Sequence, residues 1–106
     1  MRLHKLTEEQ RAVIYDCMNT VLKAPFIEDP EFQTRLGIGR KQLKAVIDRW
    51  PRLQDSSPDS EDSIAINNCL NELAYGIPMT DAEWSNWLNS SRDEVRIVFH
   101  EWKNKR

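Results

Sequence analysis

The chain has 106 residues, of which 40% are hydrophobic and 30% charged, with a formal net charge of −2. That length suits one ordinary domain or two very small ones, and the composition supports an apolar core beneath a charged surface. No run approaches the roughly 20 apolar residues of a membrane span, and Met1–Gln10 lacks the apolar stretch of a signal peptide, so a cytoplasmic location is expected.

The charge is unevenly placed. Residues 1–53 carry ten Lys+Arg against seven Asp+Glu, whereas residues 54–106 carry five against ten. A dedicated nucleic-acid-binding domain is usually basic throughout. Cys17 and Cys69 are too few for a disulfide framework, and each falls within an apolar stripe.

In chain order, the first predicted helix runs from Glu8 to Lys23. Ile14, Cys17, Met18, Val21 and Leu22 recur at the spacing of one helical face. Thr7 with Gln10 forms a capping box, and Pro25 stops the helix. A short second helix follows, with Asp29 as its expected cap, Pro30 in its first turn, and Phe32 and Leu36 pointing inward. The third helix begins after Gly39, buries Leu43, Val46, Ile47 and Trp50, and ends at Pro51. The stretch 54–62, rich in Ser and Asp, reads as an acidic loop.

Beyond that loop the pattern returns. Shifting the chain by 52 residues aligns Arg11–Trp50 with Ser63–Trp102 over 40 pairs without a gap. Identical pairs include Ile14/Ile66, Cys17/Cys69, Asn19/Asn71, Asp29/Asp81, Glu31/Glu83, Leu36/Leu88, Arg40/Arg92 and Trp50/Trp102. Apolar character is kept at Met18/Leu70, Val21/Leu73, Phe32/Trp84, Leu43/Val95, Val46/Val98 and Ile47/Phe99. Core positions agree while surface positions vary, the signature of a structural repeat. The second set of helices is therefore placed at Glu61–Tyr75, after Thr80, and after Ser91, with Thr80/Glu83 and Ser91/Glu94 as capping boxes. The expected fold is all-α: six helices arranged as a tandem duplication of a three-helix unit, 7–51 and 60–104, with pseudo-twofold symmetry. A unit of about 45 residues seldom buries enough surface alone, so both units are expected to share one core in a single domain, 1–106.

Residues 30–50, PEFQTRLGIGRKQLKAVIDRW, resemble the helix-turn-helix of bacterial DNA-binding proteins. The likeness lies in a short helix ending in Arg35-Leu36-Gly37, a turn through Ile38 and Gly39, and a basic helix opening with Arg40. It implies a DNA-binding regulator in which Arg40, Lys41, Gln42, Lys44 and Arg49 meet phosphates and base edges. The second copy departs from this pattern: Asn89 stands for Gly37, Asp93 for Lys41 and Glu94 for Gln42.

The residues themselves favour another function, stoichiometric binding of a protein by a small adaptor or an inhibitor resembling an immunity protein. Trp87 has Arg35 as its counterpart, so the repeat does not demand an aromatic there, and an aromatic at a surface position is a common interface anchor. Asp59, Glu61, Asp62, Asp93 and Glu94, together with Asp55, would offer a negative surface to a basic partner such as a nucleic-acid-acting enzyme or toxin. DNA is a partner only under the helix-turn-helix reading, and the protein is expected to be a monomer or homodimer. His4 and His100 lack ligand or nucleophile partners at recognisable spacing, and no phosphate-binding loop is present. No catalysis, metal or cofactor is therefore expected.

Overall fold

The computed structural model describes residues 2–105, which hold six α-helices and no strand. After a 3₁₀ turn at Arg2–Lys5, helices α1 (Glu8–Lys23), α2 (Asp29–Leu36) and α3 (Arg40–Arg49) precede the acidic loop. Helices α4 (Glu61–Asn71), α5 (Asp81–Trp87) and α6 (Arg92–Asn104) follow it. Arg106 lies outside the described residues.

Local chemistry fixes most of these boundaries. Thr7 Oγ1 accepts from Gln10 N at 3.1 Å while Thr7 N donates to Gln10 Oε1 at 3.0 Å, closing the box at α1. Ser91 and Glu94 close the same box at α6. Thr80 Oγ1 accepts from Glu83 N at 3.2 Å, but the Thr80 hydroxyl itself donates to the Glu83 carboxylate, so only half a box forms at α5.

Two expectations fail at helix ends. Asp29 is the first residue of α2 rather than its cap, which is Glu28 without a side-chain bond. The Asp29 carboxylate accepts from Arg40 Nε at 2.6 Å instead. The helix expected over Glu61–Tyr75 stays α-helical only to Asn71 and widens into a π turn at Glu72–Gly76, closed by Ile77 N donating to Glu72 O at 2.8 Å. A side chain from the other half meets this turn at both ends: Arg35 forms an ion pair with the nearly buried Glu72 carboxylate, and its Nη2 also donates to Gly76 O at 3.4 Å.

Between α2 and α3 the chain turns through Gly37 at φ 72°, whose N–H donates to Gln33 O at 2.9 Å. A Cβ there would come within 3.2 Å of both Asn68 Nδ2 and Ile64 Cγ2 on α4. Asn68 Nδ2 also donates to Leu36 O at 2.8 Å, tying the turn to α4. Left-handed backbone costs an L-residue about 1–2 kcal/mol, and this site adds a tight contact. Gly37→Ala should lower stability by about that amount in chemical denaturation. An unchanged midpoint would contradict the strained geometry.

The buried side chains of both halves form one cluster. α1 packs on α4; α3 lies against both of them, and so does α6. Each expected stripe faces inward, with Leu22 and Trp50 only half-buried. Trp50 and Trp102 differ, however. Trp102 is 0% exposed, whereas Trp50 is half-buried and meets Tyr15 at a tilt, with ring centroids 5.4 Å apart.

Cys17 and Cys69 are fully buried and unpaired with each other by disulfide. Burial pushes both thiols well above their ordinary pKa; Cys69 and then Asp16 add to the effect on Cys17, and Glu72 to that on Cys69. A raised folded-state pKa contributes stability below the unfolded value of about 8.5 and loses it as pH rises beyond that, by up to about 1.4 kcal/mol per pH unit per thiol. Native thiols should therefore label slowly. Between about pH 8 and about pH 10, the wild type should lose more stability than a Cys17→Ala/Cys69→Ala variant. Equal slopes would show that the thiols ionise as freely folded as unfolded.

Candidate protein-interaction face

The side chains of the basic helix α3 are mostly engaged within the fold. Arg40 turns back into the fold. Its Nη1 donates to Leu22 O at 2.9 Å, its Nη2 to Ile27 O at 2.7 Å, and the guanidinium lies 4.2 Å above the Phe32 ring. Gln42 Oε1 accepts from Gly39 N at 2.6 Å, capping α3; Gly39 has no side chain to return the bond. Lys44 pairs with Asp48 at 2.8 Å on the surface, and Arg49 Nη2 donates to Asp62 Oδ1 at 2.5 Å. Lys41 is exposed and is the one residue of the five without an ion pair or side-chain hydrogen bond.

Arg92, the counterpart of Arg40, acts in the same way. Its Nη2 donates to Met79 O at 3.2 Å, and its guanidinium lies 4.9 Å above the Trp84 ring. Met79 and Trp84 stand 52 residues after Ile27 and Phe32. The sequence carried a signal of this use, since Arg40 and Arg92 are identical across the 52-residue shift where the next two positions, Lys41/Asp93 and Gln42/Glu94, differ. A planar guanidinium can stack and bond carbonyls at once, which lysine cannot.

The acidic residues divide. Asp62 is 3% exposed and accepts from Gln54 N at 2.6 Å as well as from Arg49, so it is a structural group beneath the surface. Asp55 is also buried, its Oδ2 accepting from Leu3 N at 2.7 Å. Asp59 and Glu61 are exposed around the start of α4. Asp93 is exposed at the start of α6, and Glu94 is exposed there too while helping to cap it.

Trp87 ends α5 beside α1. It is 40% exposed and meets Phe26 edge-on with centroids 5.6 Å apart. Its carbonyl accepts from Thr20 Oγ1 at 3.2 Å, and Asn89 N donates to Asp16 Oδ2 at 3.3 Å. The tryptophan thus helps close the seam between the halves and still presents an open face.

Protein-family models, curated proteins and solved structures give no match to this chain. Among the described residues, no group of three or more His, Cys, Asp or Glu could hold a metal ion, and no helix is long and apolar enough to cross a membrane. His100 Nε2 lies 3.4 Å from the Tyr75 hydroxyl on the surface.

Two adjoining concavities run along α1 opposite its packed side. One, of about 650 Å³, includes Tyr15, Asp16, Lys23 and Asn89; the other, of about 320 Å³, includes Thr7, Gln10 and Ile97. Glu9, Val13 and Glu94 line both, so they join into one groove along α1, walled opposite by the first turns of α6 and by Asn89 and Ser90 just before it. Ile97, 60% exposed, has the small Ala45 as its counterpart. It was legible as a helix residue opposite the Val95–Val98–Phe99–Trp102 stripe, but its place beside α1 needed the tertiary packing.

Proposed function

We propose that this protein acts by stoichiometric, non-enzymatic binding of another protein, as a small adaptor or as an inhibitor in the manner of an immunity protein, working in the cytoplasm. The observation that carries this reading is the surface along α1, where Tyr15 and Ile97 stand exposed among Glu9, Asp16 and Glu94, with the exposed Trp87 seated on Phe26 at the nearby seam. Exposed aromatic and aliphatic groups ringed by charge are the usual anatomy of a protein interface. The acidic setting favours a basic partner, for example an enzyme or toxin acting on nucleic acids.

We also propose that the fold is a tandem duplication with pseudo-twofold symmetry, forming a single domain. The matched Arg40 and Arg92 stacks support this reading, as does the common position of α3 and α6 across α1 and α4.

A partner isolated with the immobilised protein should bind it one-to-one in calorimetry, with weaker affinity at higher salt. Failure to find any saturable one-to-one complex would refute the reading. The DNA-regulator alternative rests on the α2–turn–α3 geometry, yet Arg40, Gln42 and Arg49 are occupied within the fold. Duplex DNA should therefore bind weakly and without sequence preference near physiological salt. A tight, selective complex whose affinity falls steeply with salt would establish the alternative, because that slope counts neutralised phosphates.

A further inference from the structure

We propose that the groove along α1 receives a basic amphipathic helix of the partner, about four turns long; this rests on the protein-binding reading above. The dimensions set the length. The groove follows α1 from Glu9 to Lys23, and the 14 rises between them at about 1.5 Å each span about 21 Å. A helical segment of similar length lies along that distance.

The walls set the shape and charge of the occupant. α1 on one side, and the first turns of α6 with Asn89 and Ser90 on the other, leave a furrow that a further helix can fill by ridge-into-groove packing. The described residues contain no strand, so an added β-strand would find no edge to extend. Val13 and Ile97 offer the apolar floor and lip for a stripe of aliphatic side chains. Glu9, Asp16 and Glu94 offer carboxylates, and Lys23 is the sole cation among the lining residues. An acidic helix would meet like charges along the length of the groove, whereas lysines and arginines flanking an apolar stripe would be complementary.

The test uses the full chain and three fluorescent 14-residue peptides. One is a Leu/Lys amphipathic helix, the second replaces Lys by Glu, and the third scrambles the Leu/Lys sequence to destroy the apolar stripe. The amphipathic basic peptide should bind one-to-one and at least tenfold more tightly than either control. Ile97→Asp should weaken it at least tenfold, as should the combined Glu9→Gln, Asp16→Asn and Glu94→Gln change, which retains polar side chains at all three sites. Asp59→Asn with Glu61→Gln should alter affinity less than threefold. Circular dichroism melting checks that each variant is folded, and Ile97→Ser serves as the gentler substitution.

Equal binding of the scrambled or acidic peptide, or indifference to both Ile97 variants, would overturn the inference. A natural partner that binds one-to-one but neither competes with the peptide nor responds to Ile97→Asp would also overturn it, while leaving protein binding intact. Absence of any one-to-one partner refutes the broader reading instead.

Discussion

Trp102→Ala should lower folding stability by about 3–5 kcal/mol, the usual cost of deleting a large aromatic from a packed core. Trp102 is 0% exposed and belongs to the central cluster, where neighbouring helices can close only part of the resulting cavity. Trp50→Ala should cost roughly 1–2 kcal/mol, because that ring is half-buried at the edge of the core, where it also meets Tyr15. Urea denaturation monitored by far-UV circular dichroism measures both. Equal losses would mean that the two tryptophans are packed alike, contrary to the observed difference. Trp102→Phe should recover part of the loss, since it restores an aromatic ring to the cavity.

Trp87→Ala should weaken partner binding by at least about tenfold, or about 1.4 kcal/mol, whereas Lys41→Glu should change it by less than about threefold. Trp87 joins a large apolar face to a rigid seat on Phe26 and α1, so little side-chain entropy is lost when a partner covers it. Lys41 is an exposed cation, whose removal costs little unless phosphates are its targets. Calorimetric titration of the isolated partner gives both values. Trp87→Phe retains the seam contact and separates lost anchoring from a loosened fold. The reverse ranking, with Lys41→Glu the more damaging, would transfer the function to α3.

The helices were largely legible in the sequence because period and capping agreed. Thr7 with Gln10 and Ser91 with Glu94 mark starts, and Pro25 and Pro51 mark stops. Buried stripes such as Ile66, Cys69, Leu70 and Leu73 follow directly from spacing. The π turn at Glu72 was not legible; the side chain that meets it at both ends, Arg35, lies 37 positions earlier in the chain.

Charged residues were the harder class. Asp55 and Asp62 sit in a polar loop and read as solvated, yet backbone donors at Leu3 and Gln54 draw them inside. Arg40 and Gln42 read as nucleic-acid contacts, yet carbonyls at Leu22 and Ile27 and the free N–H of Gly39 claim them. A long polar side chain has several possible partners, and sequence spacing does not choose among them; tertiary packing does. The groove was illegible for the same reason: Val13 and Ile97 belong to different halves and meet only when α6 packs across α1.

Amide hydrogen exchange of the chain with and without its isolated partner tests the proposed interface most directly. Bound partner should slow exchange along α1 from Glu9 to Lys23, around Trp87–Ser90, and in the first two turns of α6, leaving Lys41–Asp48 of α3 unchanged. Protection concentrated on α3, with α1 and α6 exchanging as in the free protein, would contradict it.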